Sequence, residues 1–372
     1  MNPQHSPAIY QPSTSGAFYS PFNLRLDYMK RLLLINIQRD PDSVYLGFEP
    51  QVFDDAVNGH GLIVIAWRLD GRVDVYHQPT VTLKPANYEF VGKGLADLIE
   101  RPFSNAHYEV GAHGVNLQVA FEDKLGRSIA LHVVEQNEHP RQPFSLLAPF
   151  PSGSDKPFSL PLVLLYDFYF VRLKETQVEI VIEGQRHQPD TLPVPVDGTR
   201  MYFMRYSTDP FILHWNPNFA GALPALHPTG PGSLTTGDTI YDLIQNGDRF
   251  EISGLHPTDQ RHAVHIAFTP AFPDVANLQD GAQVSGTFHI DLEKSMGTID
   301  GTYHVQRRGH GVKIELHPAE GWQPGVRQWS VRFMFFVIKL FKQWPRTYRW
   351  TATLDLSQPG APQLHSHWQH IH

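Results

Sequence analysis

Asp167 is the acidic residue whose surroundings point most directly to chemistry. It lies in Leu162-Val-Leu-Leu-Tyr-Asp-Phe-Tyr-Phe-Val171, where every neighbour is apolar or aromatic. On a strand it shares a face with Val163, Leu165, Tyr169 and Val171, while Tyr166, Phe168 and Phe170 point the other way. A lone carboxylate in such surroundings is costly to ionise, so its pKa is expected to rise. A raised carboxyl is what a general acid near neutral pH requires, and Tyr169 follows as its hydrogen-bonded partner. The competing reading is structural: an ion pair with Arg172 or Arg205, or bonds to tyrosine hydroxyls, would perturb the same titration.

The 21 histidines raise the question of a metal. His132-x2-Glu135-x3-His139 has suitable ligand types, but a strand turns His132 and Glu135 to opposite faces. His262-x2-His265 has the same defect, and two histidines four apart on a helix with an adjacent glutamate do not occur. His107 and Glu109 do share a face, as do Thr302 and His304, which leaves a composite site across strands open. Neither a metal nor a cofactor is expected. The tail His365-Ser-His-Trp-Gln-His-Ile-His372 would hold nickel or zinc adventitiously and is assigned no function. Gly-x-Ser-x-Gly is absent, and Ser152-Gly-Ser154 lies in a Pro-flanked loop without strand-turn-helix context. The glycines fall in hairpin turns and not ahead of helices, which argues against phosphate loops and hydride transfer to a nicotinamide.

Aromatic side chains crowd the candidate strands of the first half. Trp67, Tyr108, Tyr202 and Trp215 are the expected ligand-binding walls, since aromatic linings with a few polar groups suit an apolar ligand. The same rings would equally serve as filling, because an eight-stranded barrel is just wide enough for its own side chains.

The elements that position these residues read almost entirely as strands. Leu62-Ile-Val-Ile-Ala-Trp67, the turn Asp70-Gly71, and Val73 with Val75 make one hairpin. Val115, Leu117, Val119 and Phe121, a turn at Gly126, and Ile129 to Val134 make a second. Further strands are expected at 161–173, 178–183, 200–206, 248–254, 262–268, 284–292, 301–306, 312–316 and 348–356. Strands so close together give antiparallel meanders, because a parallel crossover needs about a dozen connecting residues or more. One helix is expected, 328–343, with Trp329, Phe333, Leu340 and Trp344 on one stripe and Pro345 as its stop. Met334, Phe335 and Ile338 on the opposite side favour burial over a membrane surface despite Arg332, Lys339 and Lys342. A strand reading of the same run competes with it.

The Pro- and Gly-rich stretch 216–237 marks the expected domain boundary. It separates a first barrel over 25–215 from a second over 238–372, with 1–24 as a flexible arm. Tyr108-Glu-Val with His113-Gly-Val echoes Tyr303-His-Val with His310-Gly-Val, which fits two related halves or the general likeness of amphipathic hairpins. Two tandem closed barrels ending in a helix and a strand resemble the lipocalin-like (calycin) family that includes carotenoid hydratases. The resemblance rests on length, strand rhythm and that helix-plus-strand ending. No Gly-x-Trp opening accompanies it, so no catalytic residue is carried over. It implies a ligand cavity in one or both barrels and, in some members, acid-assisted chemistry on isoprenoids or polyketides.

Composition narrows the classes further. At 372 residues the chain exceeds one ordinary barrel. Without cysteine it has no thiol catalysis, zinc-thiolate site or disulfide framework. A net charge of -7 with no basic stripe argues against nucleic acid. The first 24 residues lack the charged start and apolar stretch of a secretory signal, and the run Leu32 to Ile35 is far short of a membrane span. The expectation is a soluble cytoplasmic protein that does not associate with membranes. Its partner would be an apolar isoprenoid- or polyketide-like molecule, bound in a barrel cavity and converted by acid–base hydration, cyclisation or elimination. The rival is a non-catalytic β-sandwich interaction module, for carbohydrate through an exposed aromatic platform; a structural part of a larger assembly is a third reading.

Overall fold

The computed structural model describes residues 9–11, 17–141, 143–148, 157–193, 195, 198–293, 295–325, 332, 343–358 and 360–371. The first-half strands are β1 (Leu24–Tyr28), β2 (Arg31–Asn36), β3 (Tyr45–Asp55), β4 (Gly59–Arg68), β5 (Val73–His77), β6 (Leu95–Glu100), β7 (Asn105–Gly111), β8 (Gly114–Glu122), β9 (Ser128–Glu135), β10 (Phe144–Ala148), β11 (Leu160–Arg172), β12 (Thr176–Ile182), β13 (Gln185–His187) and β14 (Met201–Trp215). They continue as β15 (Phe219–Ala222), β16 (Gly232–Thr236), β17 (Thr239–Asn246), β18 (Arg249–Pro257), β19 (Val264–Phe272), β20 (Gln283–Leu292), β21 (Thr298–Arg308), β22 (Gly311–Gln323), β23 (Tyr348–Asp355) and β24 (Gln363–His370).

These strands build three sheets, so the protein is all-β. One runs β10-β11-β14-β2-β3-β4-β5-β6, with β1 beside the far end of β14, and a second runs β13-β12-β9-β8-β7. The third is a meander from β16 to β24 that β15 extends at the β24 edge. Both hairpins read from the sequence form, with Gly71 and Gly126 at φ +88 and +79 in their turns, the left-handed conformation that glycine adopts without penalty. Among the described strands each sheet has two different edge strands and no ladder joins them, so two closed barrels are not seen. In the first half the two sheets instead pack face to face. Leu33, Phe48, Val64 and Tyr206 of one meet Leu117, Val119, Leu131 and Ile180 of the other in a single core.

Chain order explains why β14 is the hub. Its 15 residues pair with β11 along one edge and with both β1 and β2 along the other. Its last turn-facing residue, Trp215, passes out of this sheet into the core of the third, where it meets Phe288 at 5.0 Å and Trp368 at 5.9 Å between ring centres. One face of the ten-stranded sheet is filled: Trp350, Trp368, Tyr303 and Ile266 are buried, and Phe22 stacks on Phe268 at 5.1 Å. Residues 17–24, expected as part of a loose arm, belong to this core, for Phe18, Tyr19 and Phe22 are all buried. The histidine-rich tail is β24, which turns Leu364, Ser366 and Trp368 inward and His365 and His367 to solvent. Most of the expected helix 328–343 lies outside the described residues; Arg332 and Gln343 are helical.

Further upstream, residues 9–11 bridge to Leu278. The Tyr10 hydroxyl donates to Glu251 Oε1 at 2.6 Å and accepts the Asp274 amide at 3.2 Å. Burial pushes the Asp274 carboxyl up to about 6, against the Asn277 side-chain bond and the charge of Arg249. The folded state therefore holds a proton that the unfolded chain releases. The associated stability is full below the ordinary carboxylate range and is lost as pH rises through about 6. A shift of about two pK units corresponds to about 3 kcal/mol. Relative to the parent, Asp274→Asn is expected to gain about that much between pH 4 and pH 7 in urea unfolding. An equal difference at both pH values would contradict it.

Candidate active site

Period-two alternation sorts β3 onto two environments. Phe48 and Val52 face the sandwich core, whereas Glu49, Gln51 and Phe53 face outward beside Ile65 and Trp67 of β4. Pro50 interrupts the ladder to β2, which pairs at Leu32↔Gln51 and Ile35↔Phe48 but not between, as expected of a residue without an N–H. The outer face is then roofed by a crossover. β5 and β6 are parallel, and the 17 residues 78–94 between them fold down through the short 3-10 turn Pro85–Tyr88. This brings Asn87, Tyr88, Phe90 and Val91 over Glu49, while β1, β11 and β14 close the other side with Asp27, Val163 and Ile212. A cavity of about 70 Å³ remains.

Two carboxyls line it in opposite electrostatic states. Burial raises the Glu49 carboxyl above its ordinary value, and neither hydrogen bonding from Gln51 and Trp67 nor the charge of Arg205 offsets this. Gln51 Nε2 donates to Glu49 Oε1 at 2.8 Å. Asp27 is treated differently. Burial alone would raise it, but the His214 bond and the Arg25 guanidinium outweigh burial and hold it below the usual carboxylate range. His214 Nε2 lies 2.9 Å from Asp27 Oδ2, and Arg25 NH2 lies 3.1 Å from the same oxygen.

His214 is completely buried, and burial depresses its pKa. A neutral ring facing an ionised carboxylate carries its proton on Nε2, so Nδ1 accepts the Ser159 hydroxyl at 2.7 Å. Ser159, His214 and Asp27 thus form a chain, but not a nucleophilic triad: Ser159 is fully buried and does not line the cavity. The chain ends on the carboxylate, which does. Tyr88 completes the group; burial and the charges of Asp27 and Glu49 together push its hydroxyl up.

The residues expected from sequence are not gathered here. Asp167 is exposed, not buried: at φ +43 the strand turns its side chain to solvent, where Thr208 Oγ1 approaches at 3.4 Å. Aspartate tolerates that left-handed conformation. Arg172 is engaged with Asn137, His139 and Pro140, and Arg205 with Asn36, so neither pairs with Asp167. Tyr169 is half-buried and stacks on Tyr206 at 5.2 Å. Tyr108 and Trp215 are core residues, 4% and 0% exposed, and Tyr202 is half-buried at the edge of the sandwich core. Trp67 adjoins the cavity group through a hydrogen bond to Glu49, and Tyr108 lies within the reach of the Glu49 charge.

Of the cavity group only His214 meets the criterion that singled out Asp167, a polar group in the apolar run Phe211-Ile-Leu-His-Trp215; Glu49 is followed by Pro50 and Gln51, and Asp27 stands two residues from Arg25. Among the described residues no cluster of three or more His, Asp or Glu side chains is arranged to hold a metal. No helix of the described residues is long and apolar enough to cross a membrane. No family model matches the chain. No curated protein and no solved structure matches it either.

Proposed function

We propose that the protein is an acid–base enzyme that needs no cofactor and acts on an apolar small molecule, with Glu49 as proton donor and Asp27 as proton acceptor. The observation carrying this reading is the pair of carboxyls in one cavity whose surroundings push their proton affinities apart, the pattern that separates acid from base in a single site. Met29, Leu32, Phe53 and Ile65 make the walls apolar, which suits a hydrocarbon-rich substrate. Elimination of water or its reverse fits the two groups. Asp27 takes a proton from carbon, the C–H electrons form the double bond, and Glu49 protonates the hydroxyl that leaves as water. Solvent exchange resets both carboxyls, and hydration runs the same steps backwards. The cavity is small beside the roughly 300–1,000 Å³ of drug-sized sites, so it accommodates the reacting end of an isoprenoid- or polyketide-like molecule. The site of this reading is the Glu49 cavity beneath the 78–94 crossover. A carbohydrate platform has less support: among the described residues the exposed large hydrophobic side chains are Val57, Leu69, Leu125, Phe219 and Ile244, with one aromatic ring among them.

The test begins with native mass spectrometry of protein from its own source and identification of what it retains. With that molecule as substrate, Asp27→Asn keeps an acceptor for His214 yet removes the base, so kcat is expected to fall by about 10²–10⁴. Retention of nothing, with no uptake from an isoprenoid and lipid panel, or full turnover by Asp27→Asn, would overturn the proposal.

A further inference from the structure

Arg205 is an arginine without a carboxylate. Met204 and Tyr206 of β14 pack in the sandwich core, so alternation sends Phe203 and Arg205 to the outer face that carries Glu49. On that face Arg205 pairs in register with Leu34 of β2. Leu34 in turn falls opposite Glu49 of β3, by the register that joins Leu32 to Gln51 and Ile35 to Phe48. Arg205, Leu34 and Glu49 thus form one row across three strands. The row continues to Ile65 of β4, which is in the wall of the cavity, whereas Arg205 stands outside it.

One edge of the guanidinium is occupied. NH1 donates to Asn36 Oδ1 at 2.9 Å and approaches the Phe203 carbonyl at 3.5 Å, and the group lies over the Phe203 ring, 4.5 Å from its centre. The other edge is open. Nε and NH2 make no bond to the described residues, and neither is sealed from solvent. That edge is the fork whose two parallel N–H groups match the two oxygens of a carboxylate. Burial pushes the guanidinium down to about 10, and among the described residues the one charge opposing this is that of Glu49. Burial also favours the neutral form of Glu49, so the cation goes unanswered. A charge set among half-buried Leu34, Trp67 and Phe203 ordinarily has an anionic partner.

We propose that the Nε–NH2 edge of Arg205 binds a carboxylate of the substrate, so that the molecule converted at Glu49 and Asp27 is an apolar carboxylic acid. That the acid is a substrate rests on the acid–base reading; that a carboxylate binds does not. One cation among apolar side chains answers one negative charge, whereas a phosphate dianion would keep a second charge and further oxygens without donors. The carbon chain follows the row, leaving Arg205 over Leu34 and reaching Glu49 and the walls made by Leu32 and Ile65.

The experiment titrates the full chain calorimetrically with hexanoate and with hexanamide, its uncharged isostere, above the ordinary carboxylate range. The parent is expected to bind hexanoate at least about 10-fold more tightly, the value of hydrogen bonds to a charged group. Arg205→Gln removes the cation and is expected to erase that preference. Asn36→Asp sets a carboxylate on the same guanidinium without a change of shape. It is expected to erase the preference too, and it keeps the test open should Arg205→Gln fail to fold. Glu49 supplies the link to the site. Its carboxylate repels that of the ligand and competes for Arg205. Hexanoate affinity is therefore expected to fall as pH rises through the raised value of Glu49 in the parent, but not in Glu49→Gln. Equal affinity of the parent for the two probes, binding of neither, or an unchanged preference in either variant would overturn the carboxylate site while leaving the assignment of Glu49 and Asp27 standing. A preference that both variants lose, but that is indifferent to pH in the parent, would detach the site from Glu49 and overturn the substrate assignment.

Discussion

Glu49→Gln is expected to cut turnover sharply while making the protein more stable as pH rises through the raised value of the Glu49 carboxyl. Glutamine has the same shape and keeps an oxygen for the Gln51 amide, so the cavity is preserved. It has no proton to give, and loss of a positioned general acid costs about 10²–10⁴ in rate. The stability change has the opposite sign. Because burial raises the Glu49 carboxyl, the folded state favours its neutral form, and the stability this confers is full at low pH and lost as pH rises through the raised value. Glutamine never ionises, so the advantage of the variant grows from near zero at acidic pH to its largest value at alkaline pH. Urea midpoints across that range measure it. A glutamate kept for structure would behave otherwise: its replacement would destabilise most where the carboxylate is charged. Gained stability together with lost activity is the mark of a residue retained for chemistry.

Phe22→Ala is expected to cost about 3–5 kcal/mol, the range for removing a fully buried aromatic ring. The ring is 2% exposed and touches three others, with centres 5.1 Å from Phe268, 4.5 Å from Phe272 and 5.9 Å from Trp350. Leu125→Ala, at 63% exposure, is the matched control and is expected to stay within about 0.5 kcal/mol of the parent. Equal denaturant midpoints for the two variants would show that the N-terminal segment contributes nothing to the core of the second half.

The same residue shows where local pattern fails. Phe18, Tyr19 and Phe22 stand among serines and prolines, and no alternating run includes them. Their burial comes from a groove that the chain builds about 200 residues later, and such partners are invisible to periodicity. Hairpins behaved otherwise: Asp70-Gly71 and Gly126 specify their turns locally, and the strands on either side alternate or run apolar. β3 carries Pro50, a residue that argues against a central strand, so local pattern announces neither β3 nor Glu49. The crossover 78–94 also lacks a pattern, yet it makes the roof of the cavity. Asp167 shows the reverse error. Its apolar neighbours are indeed buried, but a left-handed φ, which no alternation rule anticipates, sends its own side chain to solvent.

Whether Glu49 is protonated in the folded protein is the central claim, and infrared difference spectroscopy of the parent against Glu49→Gln addresses it most directly. Above the ordinary glutamate range the parent is predicted to keep a protonated-carboxyl C=O stretch that the variant lacks, shifting with solvent deuteration and disappearing as pH rises through the raised value. A difference spectrum containing carboxylate bands alone, with Glu49 titrating in the ordinary glutamate range, would contradict the acid–base assignment and leave the cavity without a proton donor.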